Sequence, residues 1–325
     1  MSSSVETSDS AYSSSQVSEY LSHIGLPPSF HPSANPVLDL TYLTTLFVHQ
    51  ITAIPYENLV IHYSLSHAVD LDPQAVFTKV VRNRRGRGGY CMENSILFNH
   101  MLRALGFTDA YTAGVRIRMR DPDNVPAGPY IGYVHLVNIV RLSSDGQKYA
   151  LDVGFGGDGP TLPMPLVAGL VHHNSIGTQE IRYVHDCLPA TPQRRGRDKN
   201  WIYEYRNGPD REWNAFYAFA EFEFFEPDFQ VINYYTSQAP TSAQSYRPIV
   251  VRFLRGDGDD GRVKVVGKVM LMHGDVKRNV SGRTELVKTC VSERERVEAL
   301  SEYFGIELTE EEAGGIKGFR SELLG

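Results

Sequence analysis

The sequence predicts an α+β fold laid out in three consecutive parts. Apolar residues recur at helical spacing from residue 17 to about 107. After Gly106 the period drops to two, as strands require. A final hairpin and one helix close the chain, so the order is helices, then strands, then a small α/β unit. The 325 residues are 42% hydrophobic, enough for a large core. At about 150 residues per domain that length corresponds to two or three domains.

Each element has its own signal. Residues 1–16 are Ser-rich and acidic, and are expected to be a disordered tail. They contain no apolar stretch of the secretory kind, which implies a cytoplasmic protein. Tyr20, Leu21 and Ile24 form one apolar stripe, stopped by Gly25 and the pair Pro27 and Pro28. Leu40, Leu43, Leu46 and Phe47 form another, and residues 76–81 a short third. Ile96, Leu97, Met101, Leu102 and Leu105 make a fourth, closed by Gly106 at a C-cap position. Strands are expected over 110–118, 130–141, 147–153, 179–185, 201–206 and 216–222, reading together as a barrel or curled antiparallel sheet. A basic segment, 194–197, sits in one of its loops. From about residue 228 the chain becomes a polar connector rich in Tyr, Thr and Ser. A hairpin over 249–253 and 263–271 turns at Gly256, Asp257 and Gly258, and a helix covers 292–304. The expected divisions are 1–16 (tail), 17–108 (helical), 109–225 (β), 226–245 (connector) and 246–325 (α/β).

Composition removes several classes of function. A net charge of −6 argues against nucleic acid as the main partner. No run of eighteen apolar residues is present to span a membrane. Three cysteines (Cys91, Cys187, Cys290) without C-x-x-C pairing support neither a disulfide scaffold nor a structural zinc site.

One cysteine stands apart. The run Arg87, Gly88, Gly89, Tyr90, Cys91 ends a glycine-rich basic loop just ahead of the fourth apolar stripe. Cys91 is therefore placed at a helix N-terminus, where unpaired N–H groups and the helix dipole favour a thiolate. Arg87 is expected to add positive charge and help lower the thiol pKa. A base and an orienting acid are available in the β part. His135 lies in an apolar strand, where alternation puts Tyr133, His135, Val137 and Ile139 on one face. Asp152 lies in the next strand, and a buried lone carboxylate needs a partner. The hairpin leaves two registers open. A two-residue loop at Ser144 and Asp145 pairs Val137 with Asp152 and makes His135 and Asp152 diagonal neighbours. A loop at Asp145 and Gly146 opens the gap by two residues. Thiol, imidazole and carboxylate together fit nucleophilic catalysis.

Other signals carry less. Gly154 to Gly159 formally matches G-x-G-x-x-G, but Pro160, Pro163 and Pro165 follow where a dinucleotide fold needs a helix. His172, His173, His185 and Cys187 are irregularly spaced for a metal, and none is expected. Arg82, Arg84, Arg85 and Arg87 fit a solvated helix end or attraction of phosphates.

Four motifs in order now carry a resemblance. Ile54-Pro-Tyr-Glu-Asn-Leu59, Arg87-Gly-Gly-Tyr-Cys91, Val134-His-Leu136 and Asp152-Val-Gly-Phe-Gly156 resemble those of the arylamine N-acetyltransferases, with weaker similarity over 17–308. The resemblance implies an N-terminal helical bundle, a central antiparallel β-barrel and a C-terminal α/β lid, around a core like that of cysteine proteases and transglutaminases. It implies a catalytic triad of Cys91, His135 and Asp152 and a ping-pong reaction. The Cys91 thiolate takes an acetyl group from acetyl-CoA, or malonyl or propionyl from its CoA thioester, and holds it as a thioester. It then passes the group to an arylamine, arylhydrazine or N-hydroxyarylamine, the chemistry of xenobiotic metabolism. The implied substrate pocket falls on Tyr56, Val134 and Phe155, and the CoA contacts on Ile131, Gly132, Gly154, Gly156, Thr241 and Ser242. Tyr56 and Tyr90 stand where relatives carry Phe and Trp, so shape is retained and polarity changed. The proline-rich loop 121–129 and the Ser-rich tail depart from the compact bacterial pattern, towards a eukaryotic member of fungal type. The competing reading is a Cys-His-Asp hydrolase or transglutaminase-like enzyme, although the calcium loops of many transglutaminases are not evident.

Overall fold

The computed structural model describes residues 10–121, 125–188, 199–258 and 261–325. The basic segment 194–197 and part of the loop 121–129 lie outside the described residues. The N-terminal part holds α1 (Ser14–His23), α2 (Leu40–Ala53), the short strand β1 (Tyr56–Glu57), α3 (Leu59–Tyr63), α4 (Pro73–Phe77) and α5 (Cys91–Ala104). A π-turn, Thr78–Arg82, follows α4. Tyr20, Leu21, Leu43, Leu46, Phe47, Phe98, Met101 and Leu102 meet in one buried cluster. Each such side chain stabilises by roughly 1.5–3 kcal/mol relative to exposure.

Helix α1 begins inside the segment read as tail. Ser13 accepts the Gln16 N–H, and the Gln16 carboxamide oxygen accepts the Ser13 N–H at 3.1 Å. Tyr12 is buried and its hydroxyl donates to the Pro73 carbonyl at 2.8 Å. A capping box and an aromatic anchor thus hold residues that a Ser-rich composition marks as disordered. Residues 1–9 of that segment lie outside the described residues.

The middle of the chain is an eight-stranded antiparallel sheet. Its strands are β2 (Ala110–Arg120), β3 (Pro126–Arg141), β4 (Lys148–Leu151), β5 (Met164–Pro165), β6 (His172–His173), β7 (Glu180–Asp186), β8 (Asn200–Arg206) and β9 (Asn214–Glu223). They run in the order β5-β4-β3-β2-β9-β8-β7-β6. The outer strands β5 and β6 do not pair with each other, so this is an open sheet and not a closed barrel. Both are only two residues long, and the prolines around β5 lack the N–H groups that closure needs. Register shifts between β2 and β3 bend the sheet into its curl.

The expected connector contains α6 (Glu226–Gln238), a helix whose first turn is capped when Asp228 accepts the Phe225 N–H at 2.8 Å. Its buried face is partly polar (Ile232, Asn233, Thr236, Ser237), which hides it from an apolar-periodicity reading. The last part carries β10 (Ile249–Asp257), β11 (Val263–Met272), β12 (Asp275–Val280), β13 (Arg283–Thr289), α7 (Glu293–Phe304) and α8 (Glu310–Gly314). Strand β1 pairs with β10, Tyr56 opposite Val251, and so binds the N-terminal part to the C-terminal sheet. Fully buried Arg296 adds a second tie, donating to the Tyr63 hydroxyl at 2.8 Å and the Ser321 carbonyl at 3.0 Å. Among the described residues no helix is long and apolar enough to cross a membrane.

Candidate active site

Cys91 is the first residue of α5, after an extended Tyr90 (φ −82°, ψ −170°). The Glu93 carboxylate accepts the Tyr90 N–H at 3.1 Å. The two preceding glycines are demanded by close packing. A Cβ on Gly88 collides with the Pro55 carbonyl, and one on Gly89 with the Glu93 side chain. The Gly89 carbonyl accepts from the Glu57 N–H at 2.9 Å and from Asn94 Nδ2 at 2.8 Å. The motifs at 54–59 and 87–91 are thus one interlocked unit, and it fixes where α5 starts.

Behind Cys91 lies a buried ionic network. Arg87 donates through Nε to Glu57 and through Nη1 to Glu312, each at 2.9 Å. Lys79 bonds Glu93 and lies 3.9 Å from Glu57. Glu57 and Arg87 are 0% and 2% exposed. Burial works against the Glu57 charge, yet Arg87 and Lys79 hold its carboxyl below the usual range. Burial raises the Glu93 carboxyl, with Lys79 opposing.

On the other side stand His135 and Asp152, both buried. Strands β3 and β4 pair Asn138 with Leu151 and Arg141 with Lys148, the nearer of the two registers open to the sequence. His135 Nε2 lies 2.9 Å from Asp152 Oδ2, and Asp152 Oδ1 accepts the Gly154 N–H at 3.2 Å. A β-bulge then alters the expected face. His135 opposes Val115, but Tyr133 opposes Arg116, so Val134 is the extra residue. Val137 and Ile139 stay in the cluster inside the sheet, whereas Tyr133 leaves them and packs with Cys91. Cys91 Sγ lies 3.7 Å from the Val134 carbonyl oxygen. A Cβ on Gly154 falls 2.8 Å from Cys91 Cα. The chain just before His135 and the chain just after Asp152 therefore both touch Cys91.

The thiol departs from the sequence expectation. Burial, and next the Asp152 charge, push it well above its ordinary value. The N–H groups of Met92 and Cys91 at the helix start pull it down, as expected of a helix N-terminus, but do not prevail. Arg87 turns its Nε and Nη1 to Glu57 and Glu312 and is not among the leading influences on the thiol. A thiol at 5% exposure with a raised pKa needs a neighbouring base to lose its proton.

The remaining expected residues spread around this centre. The Phe155 ring lies 5.4 Å from His135 and 4.9 Å from Tyr217. Tyr217, Tyr203 and Phe216 complete an aromatic wall that the sequence reading missed, although alternating aromatics in β8 and β9 signalled it. Ile131 is half-buried and Gly132 exposed. Gly154 and Gly156 border a loop pinned by Asp158, which pairs with Arg120 and, at 3.0 Å, with Lys268. That loop leads into β5 and not into a helix. Thr241 is exposed, while the Ser242 hydroxyl is buried and donates to the Thr236 carbonyl at 2.6 Å. Among the described residues no group of three His, Cys, Asp or Glu is placed to hold a metal ion.

Comparison with known proteins adds three findings. Residues 39–313 match the family model described as N-acetyltransferase. The N-malonyltransferase FDB2 of Fusarium pseudograminearum is 30% identical, over 94% of this chain and 92% of its own. Two solved structures share the fold. An arylamine N-acetyltransferase from Mycobacterium abscessus has a TM-score of 0.74 at 25% identity, covering 94% of this chain and 95% of its own. The arylamine N-acetyltransferase of Mycobacterium marinum in complex with CoA has a TM-score of 0.70 at 24% identity, covering 94% and 98%.

Proposed function

The chain belongs to the arylamine N-acetyltransferase family of acyltransferases, and from that premise we propose that it carries an acyl group from a CoA thioester, through Cys91, to an arylamine. The observation that carries the reading is the convergence of the Val134 carbonyl and Gly154 on Cys91, beside the 2.9 Å contact of His135 with Asp152. The Asp152 carboxylate accepts the Nε2 proton, which leaves the Nδ1 lone pair of His135 to take the thiol proton. The Cys91 thiolate attacks the thioester carbonyl carbon. A new C–S bond forms, the C–S bond to CoA breaks, and the CoA thiolate leaves with the proton held by the imidazole. The amine nitrogen then attacks the Cys91 thioester and His135 takes its proton. As the amide forms, the C–S bond breaks and that proton returns to Cys91. Exchange of one thioester for another is close to thermoneutral. An arylamine of low basicity is neutral and nucleophilic at pH 7.

In this reading Tyr56, Val134 and Phe155 shape the acceptor pocket. Ile131, Gly132, Gly154, Gly156 and Thr241 line the CoA path, with the C-terminal part covering it as a lid. Ser242 contributes shape there, because its hydroxyl is already engaged. Acetyl is the acyl group the motifs imply. Malonyl is a second reading, favoured by the name of the fungal relative at 30% identity. Family membership speaks against the hydrolase and transglutaminase-like alternative.

Steady-state rates test the sequence of steps. Acyl-CoA varied at several fixed arylamine concentrations is expected to give parallel double-reciprocal lines, the pattern of a covalent intermediate. Intersecting lines, or no turnover with any acyl-CoA, contradict the proposal.

A further inference from the structure

Two tyrosines pack beside Cys91, and they use their hydroxyls differently. The Tyr90 hydroxyl is fully engaged, 2.5 Å from Asn233 Oδ1 and 3.1 Å from Thr236 Oγ1. The Tyr56 hydroxyl accepts from Gln244 Nε2 at 2.8 Å. Gln244 is locked in place. Its Oε1 and its backbone carbonyl each accept from Asn58 Nδ2 at 3.1 Å. That carbonyl also lies 3.0 Å from His62 Nε2, and His62 Nδ1 lies 2.8 Å from the Ser321 hydroxyl. The carboxamide is therefore aimed with its N–H at Tyr56. An amide nitrogen only donates, so the phenol oxygen is the acceptor and its own proton points elsewhere. Among the described residues that proton has no acceptor. Burial, and next the closeness of Cys91, push the phenol well above its ordinary pKa, so it stays protonated. The result is a fixed O–H donor beside the nucleophile. Its ring lies 3.8 Å from the point where a Cβ on Gly156 would stand, so it borders the glycine loop as well.

We propose that the Tyr56 O–H, aimed by Gln244, is the specificity-determining donor for a carboxylate at the far end of the Cys91-bound acyl group, so that the chain prefers a malonyl to an acetyl thioester. The proposal rests on the acyl-transfer reading above. A malonyl thioester carries its carboxylate one methylene beyond the carbonyl attached to sulfur. A phenol donating to that anion makes a charge-assisted hydrogen bond. An acetyl methyl offers no acceptor and leaves the aimed proton unpaired once water is expelled. A site built to hydrogen-bond one substrate rejects the analogue that lacks the group. Gln244 acts as a positioning residue, through Tyr56.

The test uses the full chain, one arylamine acceptor and two donors, malonyl-CoA and acetyl-CoA. The readout is the ratio of their kcat/KM values. The wild type is expected to favour malonyl-CoA. Tyr56→Phe keeps the ring and is expected to lower the ratio about 10- to 100-fold, the span of a hydrogen bond to a charged group. Gln244→Leu leaves the phenol but frees its aim, and is expected to lower the ratio by less. A wild-type preference for acetyl-CoA overturns the proposal. So does a ratio unmoved by Tyr56→Phe, including a parallel loss with both donors, which makes Tyr56 a general contact to CoA or amine. Mass spectrometry of the wild type separates the two readings. No acyl adduct on Cys91 with either donor sinks the acyl-transfer reading itself. An adduct together with an unmoved ratio sinks only the role of Tyr56.

Discussion

Two buried polar clusters meet at the first turn of α5, one behind Cys91 and one in front of it. Behind, Glu57, Arg87, Lys79, Glu93 and Glu312 form a chain of opposite charges. In front, the Cys91 sulfur has a carbonyl oxygen at 3.7 Å, and His135 and Asp152 have each other. The same depth of burial has opposite effects. Glu57 keeps its charge because two cations surround it, while the thiol is driven up because burial and a carboxylate both oppose its ionisation. Compensated charge makes a rigid support. Uncompensated burial makes a group that reacts only when a base is at hand. The sharpest consequence is that damage in front should cost activity, and damage behind should cost stability.

The largest expected effect breaks the front alone. Asp152→Asn removes the carboxylate 2.9 Å from His135 Nε2, which in the proposed mechanism fixes the His135 tautomer. It is expected to lower kcat by about 10³- to 10⁴-fold, with a urea midpoint close to that of the wild type. A fall in both, or in neither, erases the contrast. Next comes Glu57→Ala at the back, which leaves buried Arg87 without its fully buried partner. Loss of one member of a buried pair costs about 3–5 kcal/mol, read as a lowered urea midpoint.

Acid titration sharpens the same point. The Glu57 carboxyl sits below its ordinary range in the folded chain. Its stabilisation is therefore complete above the unfolded value of about 4.3 and is lost as pH falls through the lower folded value. The stability gap between wild type and Glu57→Gln should narrow below about pH 4. A gap that widens in acid contradicts the assignment.

Gly154→Ala probes the seam between the clusters. Its methyl falls 2.8 Å from Cys91 Cα and 2.9 Å from the Cys91 carbonyl oxygen, so Cys91 must shift. A misplacement of about 1 Å costs about 10²-fold in rate, and single-turnover acylation is the measurement that shows it. The smallest effect belongs to Glu312→Gln. Glu312 is partly exposed, and Glu57 still holds Arg87. A loss of no more than about 1 kcal/mol is expected by the same denaturation assay.

Much of the front was legible in the sequence, and little of the back. A glycine pair before a cysteine and an apolar stripe gave the start of α5, and the hairpin arithmetic contained the register that pairs β3 with β4. Local signals mark such features. The bulge at Val134 was not legible, because alternation assumes an unbroken strand, so Tyr133 was assigned to the wrong face. The ionic network joins residues from 57 to 312 that carry no common pattern, so Arg87 was read as a helper of the thiol when it serves Glu57. The hairpin of β12 and β13 was missed for a different reason. Strand β13 is almost wholly exposed and β12 alternates charges with its few apolar residues, so neither shows an apolar face. The partly polar inner face of α6 concealed that helix in the same way.

The central claim is that Cys91 carries the acyl group. Incubating the full chain with acetyl-CoA or malonyl-CoA alone, followed by peptide mass spectrometry, tests it most directly. The expected result is one acyl adduct on the peptide containing Cys91, lost in Cys91→Ser and discharged on adding an arylamine. An adduct that persists in Cys91→Ser, or no adduct with either donor, contradicts it.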